Sequence, residues 1–220
     1  MTSPAPTLLV KGSPRARLML GGVVLGSGVA ILDGSVVNVA LRSIGADLGA
    51  SLAGLQWVVN GYLLALASLV LVGGALGDRL GRRRVYLVGV TWFGIASALC
   101  ALAQSPGQLV ALRVLQGVGA ALLTPGGLAL IQSSFRPQDR ARAIGTWAGM
   151  SGVAAALGPV LGGWLVDNAS WRWIFAINVP LCLGVVLMTR YAAPESRDAS
   201  GSPVLGRTQI CTDSLHAGRS

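Results

Sequence analysis

Charge is scarce in this chain. Charged residues make up 11% of the 220, and acids are rarer than bases, 8 against 17. A soluble domain carries about 25% charge, so an ordinary water-exposed fold is disfavoured. Histidine occurs once, at His216, and cysteine three times, at Cys100, Cys182 and Cys211. These cysteines lie far apart and show no metal-type spacing, so they read as free thiols. No Ser/His, Cys/His or metal-ligand grouping falls within the apolar segments, which argues against a membrane enzyme. A phosphate loop of the G-x-x-x-x-G-K-[ST] type is missing as well, so ATP-driven work finds no support. No cofactor and no metal is implied.

What the chain has in quantity is apolar sequence. Hydrophobic residues reach 53% and the mean hydropathy is +0.65. They fall into blocks near or above the roughly 18 residues that cross a bilayer. The expected class is all-α: a polytopic membrane protein of six transmembrane helices. The spans are expected near Arg17–Ala40, Leu55–Leu76, Val85–Ala103, Gln108–Ser133, Ala143–Val166 and Trp173–Tyr191. A basic loop, Gly77–Arg84, and a charged loop, Phe135–Arg142, lie between spans; Gln104-Ser105-Pro106-Gly107 is a turn signal. Residues 1–16 read as a disordered arm, 17–191 as one six-helix bundle, and 192–220 as a disordered tail. The first span is longer than a signal core, holds Asp33 and is followed by five others, so it reads as a retained helix.

The net charge of +9 does not imply nucleic acid. The bases sit in short clusters between apolar blocks rather than on one amphipathic face. Lys11, Arg15 and Arg17, then Arg79, Arg82, Arg83 and Arg84, then Arg136, Arg140 and Arg142, then Arg190, Arg197, Arg207 and Arg219 all fall on one side of a six-span chain. The other side has only Arg42 and Arg172. Retention of positive charge on the cytoplasmic side places both termini in the cytoplasm of a cell-membrane protein. Trp171 and Trp173 stand at the outer end of the sixth span, as interfacial anchors would. Glycines recur at small-xxx-small spacing in Gly22/Gly26, Gly73/Gly77, Gly145/Gly149 and Gly158/Gly162. They either pack helices closely or reflect the general abundance of glycine in membrane spans.

Two charges lie well inside spans, Asp33 in the first and Arg113 in the fourth. Each costs about 2.5–3.5 kcal/mol at mid-membrane. That cost calls for burial in the bundle, a partner or a watery cavity. A carboxylate there can take up a proton, whereas an arginine stays charged. The pair suits proton coupling, or else forms a static polar brace.

Four segments resemble the major facilitator superfamily. Gly74-Ala75-Leu76-Gly77-Asp78-Arg79-Leu80-Gly81-Arg82-Arg83-Arg84 looks like the loop between its second and third helices, G-x-L-x-D-R-x-G-R-[RK]. Leu112-Arg113-Val114-Leu115-Gln116-Gly117-Val118-Gly119-Ala120-Ala121 is similar to its arginine-bearing helix, implicated in proton coupling. Gly152 through Gly158-Pro159-Val160-Leu161-Gly162-Gly163 resembles the antiporter motif, G-x(5)-G-P-x-x-G-G, found in exporters. Leu32-Asp33-Gly34-Ser35-Val36-Val37-Asn38-Val39-Ala40-Leu41 looks like L-D-x-T-V-V-N-V-A-L-P of the fourteen-helix drug:proton antiporter branch, with Ser35 for Thr and Arg42 for Pro.

The resemblance, from about Leu18 to Asp198, implies several things. Asp33 and Arg113 would couple protons. Gly74, Asp78, Arg79, Gly81, Arg82 and Arg83 would form a conformational latch. Gly152, Gly158, Pro159, Gly162 and Gly163 would form the antiporter helix. The function implied is export of a drug or small organic molecule in a lipid bilayer, driven by a proton gradient. Such carriers comprise two six-helix halves around a midplane cavity. This chain supplies one, so the expectation is a truncated first half of such a transporter; the alternative is a non-transporting truncated remnant, or a subunit that self-associates or needs a partner chain.

Overall fold

The computed structural model describes residues 12–192. The N-terminal residues through Lys11, the segment Pro194–Asp198 and the tail with Cys211 and His216 lie outside the described residues. Seven helices follow in order: α1 Pro14–Leu48, α2 Leu52–Leu80, α3 Arg82–Ala101, α4 Pro106–Ser134, α5 Pro137–Asn168, α6 Arg172–Ala176 and α7 Asn178–Ala192. Six stretches are long and apolar enough to cross a membrane, α6 and α7 together forming one of 21 residues, Arg172–Ala192. The chain is a multi-pass membrane protein.

Local chemistry sets most boundaries. Ser13 caps α1 by accepting from Ala16 N at 3.2 Å, with Pro14 opening the helix. Ser105 and Pro106 repeat the arrangement at α4. An N-cap hydroxyl serves an orphan N–H, and proline in the first turn removes another. The first span runs eight residues past its expected end at Ala40, to Leu48. Arg42 has the backbone N–H that the proline of the resembled pattern lacks, so the helix can continue. Gly49 then ends it at φ 62°.

The expected loop Gly77–Arg84 shrinks to a single residue. Gly77–Leu80 belong to α2 and Arg82–Arg84 to α3, and Gly81 reverses the chain alone at φ 104°. A side chain there would be strained, and arginine is a good helix former, so charge did not mean loop. Likewise α5 starts at Pro137, which makes Arg140 and Arg142 helical. The sixth span is interrupted at Ile177. Pro180 offers no N–H to the carbonyl of Ala176, so the ladder breaks there.

Packing places α2 and α3 on α4, and α1 against α5 and α7. Glycines permit these approaches. A Cβ on Gly73 would collide with the carbonyl of Ala121, one on Gly119 would lie 2.7 Å from Phe93 N, and one on Gly89 would lie 2.8 Å from Leu123 N. Of the small-xxx-small pairs, Gly22/Gly26 and Gly158/Gly162 sit against neighbouring helices, and Gly73 does so on its own, Gly77 being loosely seated. Gly145 and Gly149 meet nothing within 4 Å. Spacing alone cannot say which way a glycine faces.

The core has two apolar clusters. One gathers Met19, Val23, Tyr86, Phe93, Leu130 and Phe135; the other gathers Val37, Ile44, Val58, Leu109, Ile174 and Phe175. At the second end Arg172 Nη1 pairs with Asp47 Oδ2 at 2.5 Å and its Nη2 donates to the Ala103 carbonyl at 3.2 Å. This ties α1 and α6 to the turn that follows α3. Trp173 is 57% exposed, as an interfacial anchor should be, but Trp171 is only 3% exposed. Its indole donates to Asp47 Oδ2 at 3.0 Å and packs edge-on to Phe175, so it belongs to the core.

A packing test follows from the glycines. Gly73→Ala should cost about 1–3 kcal/mol through overpacking, lowering the thermal unfolding midpoint in detergent, whereas Gly149→Ala, in open space within α5, should hold or raise it through the better helix propensity of alanine. Equal effects from the two would contradict the assigned faces.

Candidate functional site

Between the two apolar clusters lies a polar layer. Along α1, Val29 belongs to the first cluster and Val36 to the second, with Asp33 between them. The same holds for Arg113 and Gln116 on α4, Ser97 on α3 and Asn178 on α7. Asp33 and Arg113 are each 1% exposed. They face the bundle interior and they face each other: Arg113 Nη1 donates to Asp33 Oδ2 at 2.5 Å.

Every member of the layer is satisfied. Asp33 Oδ1 accepts from Gln116 Nε2 at 3.0 Å and from Asn178 Nδ2 at 2.9 Å. Gln116 Oε1 accepts from Arg113 Nη1 at 2.7 Å and from the Cys100 thiol at 3.7 Å. Ser97 Oγ accepts from Gln116 at 3.2 Å and Asn178 at 3.0 Å, and donates to the Phe175 carbonyl at 3.0 Å. Arg113 Nε donates to the Val58 carbonyl at 3.2 Å. The guanidinium lies 4.2 Å above the Tyr62 ring and 5.7 Å from that of Phe175, where ring quadrupoles favour a cation. Three of the six spans, those of α1, α4 and α7, thus meet at the Asp33 carboxylate, and α2 and α3 join the same network through Arg113, Gln116 and Asn178; α5 takes no part in it. Buried charge is tolerated when it is paired and its remaining lone pairs and protons are bonded.

The sequence singled out Asp33 and Arg113 but assigned nothing to Gln116, Ser97, Asn178 or Tyr62. Gln116 carried a usable signal, since i and i+3 share a helix face and Arg113 was already placed. Ser97 and Asn178 are single polar residues in apolar runs, a weaker mark.

The segment expected to latch forms a compact turn. Asp78 Oδ1 pairs with Arg82 Nη2 at 3.1 Å and accepts from its Nε at 3.2 Å, across the Gly81 reversal. Arg82 Nη1 reaches the Ala129 carbonyl on α4 at 3.4 Å, and Arg83 Nη2 the Arg190 carbonyl on α7 at 2.7 Å. Gly74 faces Pro125, and Arg79 is exposed. These bonds seat the turn on its own bundle and leave Asp78 and Arg79 at the surface.

The residues of the α5 motif divide. A Cβ on Gly158 would collide with Ser35 Oγ, and one on Gly162 would lie 2.8 Å from Val36 Cγ1. The α5 motif therefore crosses the α1 motif two and three residues beyond Asp33. Gly152 and Gly163 meet nothing within 4 Å. Pro159 lies inside α5, which continues to Asn168.

Comparison with known proteins agrees with this architecture. The pattern of the Major Facilitator Superfamily matches residues 23–212. The chain is 41% identical over 214 residues to the tetracenomycin C resistance and export protein of Streptomyces glaucescens, covering 94% of this chain and 39% of that protein. It is 47% identical over 160 residues to the methylenomycin A resistance protein of Bacillus subtilis, covering 72% and 34%. It is 42% identical over 187 residues to the drug efflux pump JefA of Mycobacterium tuberculosis, covering 84% and 37%. The chain spans about a third to two fifths of the length of these relatives. In fold it resembles a crystallised peptide transporter, at a TM-score of 0.72 and 16% identity over 85% of this chain and 39% of that one. It also resembles a bacterial homologue of the lysosomal transporter Spinster, at 0.65 and 22% over 88% and 47%. The chain belongs to the major facilitator superfamily, among homologues that include exporters of drugs and antibiotics.

Proposed function

We propose that this chain is the first half of a carrier that exports an antibiotic-like organic molecule in exchange for protons. The observation that carries this reading is the buried Asp33–Arg113 pair. Arg113 stays charged, so Asp33 is the member that can change state. A proton on its carboxyl cancels the charge that holds the guanidinium. Arg113 keeps the Val58 carbonyl, the Gln116 amide oxygen and the Tyr62 face, while α1 loses its strongest tie to α4. Loss of the proton restores the pair. Such an element has two arrangements that a proton can bias, as antiport requires. The relatives named for drug and antibiotic resistance or export supply the substrate class.

Transport also needs a second six-helix half. Only Ala143, Gly158 and Gly162 of the 32-residue α5 are buried, while Val153, Leu157, Val160 and Trp164 are exposed beside the open Gly149 and Gly152. Small residues let another helix approach closely in lipid. We read this face as the seat of that half. The midplane cavity forms between halves, so one half alone moves no substrate. The bases gathered at one end, Arg79, Arg82 to Arg84, Arg136, Arg140, Arg142 and Arg190, favour a cytoplasmic position for that end of the bundle and for both termini.

Two measurements test these readings. In intact cells, with Cys211 replaced by Ser and Cys100 and Cys182 buried, Ser105→Cys should react with an impermeant maleimide and Gln138→Cys should not; the reverse pattern inverts the topology. With a second half supplied in the same membrane, Asp33→Asn should abolish proton-driven dye efflux from vesicles at an unchanged level of inserted protein. Undiminished efflux would reduce Asp33 to a brace.

A further inference from the structure

A groove of about 570 Å³ runs down the outer surface between α3 and α7. Its head is basic, lined by Arg83, Arg84 and Arg190, and its walls are mainly apolar, with Leu87, Ile95 and Val186 among them. No acidic side chain lines it among the described residues. A second apolar hollow of about 380 Å³ shares Thr91, Ile95 and Val186 with the first and extends it towards Leu99 and Leu183. From Arg84 to Ile95 the helix advances about 16 Å at 1.5 Å per residue, close to half of a hydrocarbon core about 30 Å thick.

The head of the groove is built for an anion. Arg83 spends one donor on the Arg190 carbonyl at 2.7 Å, and its Nε has no acceptor among the described residues. That Nε is buried, so of the five N–H donors of a guanidinium those left for a ligand in the groove are on the two Nη groups. The first turn of α3 begins here as well, and its N-cap, Gly81, provides no side-chain acceptor. Its N–H groups and helix dipole add positive potential where the arginines already supply it.

We propose that this groove binds one anionic phospholipid, with the phosphate at Arg83, Arg84 and Arg190 and an acyl chain along Leu87, Thr91 and Ile95. The charge of the head and the apolar character of the walls each match one part of that molecule, and their separation matches a single leaflet. A soluble anion would gain nothing from the walls. A zwitterionic lipid would bring a cation to an arginine cluster. Basic pockets between membrane helices on the cytoplasmic side hold anionic headgroups by this chemistry, and the site does not depend on whether the carrier pumps protons.

Native mass spectrometry of the whole 220-residue chain tests it, with phosphatidylglycerol and phosphatidylcholine of identical acyl chains and with glycerol phosphate alone. One phosphatidylglycerol should be retained per chain, and neither of the other two. Arg84→Gln with Arg190→Gln should weaken retention roughly 30-fold, at about tenfold per 1.4 kcal/mol and about 1 kcal/mol per arginine. Arg136→Gln with Arg142→Gln, exposed at the same end of the bundle, should leave it unchanged. Thr91→Trp, at an exposed position, should fill the groove and abolish retention with every arginine in place. That variant and the lipid comparison decide the question even if the double arginine variant does not fold. Equal retention of the two lipids, binding of glycerol phosphate alone, or equal losses in the two arginine double variants would overturn the proposal, as would full retention in Thr91→Trp.

Discussion

The constraint on which the rest of this bundle depends is the burial of one negative and one positive charge at membrane depth. Neither Asp33 nor Arg113 could sit there alone without a cost of about 2.5–3.5 kcal/mol on insertion scales. Together, with Gln116, Asn178 and Ser97 completing their bonds, they form a layer with no unpaired member. The two apolar clusters lie on either side of it. That order, apolar, polar, apolar, recurs along α1, α3, α4 and the sixth span, while α2 brings the Val58 carbonyl and the Tyr62 ring to Arg113 and α5 stands outside it.

Bringing five spans into one polar network requires close backbones. Gly117 follows Gln116 in α4, and a Cβ there would lie 2.5 Å from the Tyr62 carbonyl. The approach holds Tyr62 beneath the guanidinium and brings the Val58 carbonyl within reach of its Nε. The α1–α5 crossing works in the same way, with Gly158 on Ser35 and Gly162 on Val36. The proposed coupling carboxylate and the α5 motif are therefore mechanically joined through one turn of α1. Pro180 frees the Ala176 carbonyl and interrupts the sixth span just before Asn178, whose amide spans Asp33 and Ser97.

Much of this was legible in the sequence. Six apolar blocks gave six spans, and two charges in apolar surroundings pointed inward, because lipid leaves them few other places. The rest depended on tertiary geometry. Nothing local showed that Asp33 and Arg113, 80 positions apart, would be each other's partner. Ser97 and Asn178 are neutral and unremarkable until three helices bring them together. Arginine clusters suggest loops by their charge, yet Gly81 alone makes the turn and the arginines continue the helices. Trp171 carried the composition of an interfacial anchor and a position in the core, because Asp47 and Arg172 hold its indole inward. Glycine spacing identified candidates for contact but not their direction, so Gly145 and Gly149 looked the same as Gly158 and Gly162.

The claim that the bundle is organised around the Asp33–Arg113 pair is tested most directly by a double-mutant cycle. Asp33→Leu, Arg113→Met and the double variant would be unfolded reversibly in mixed micelles. Removing either partner strands the other, so each single change should cost about 3–5 kcal/mol. The double variant leaves no stranded charge, and its loss should fall short of the sum of the singles by at least about 2 kcal/mol. Additivity within about 0.5 kcal/mol would mean that the two residues act independently, and would contradict the account.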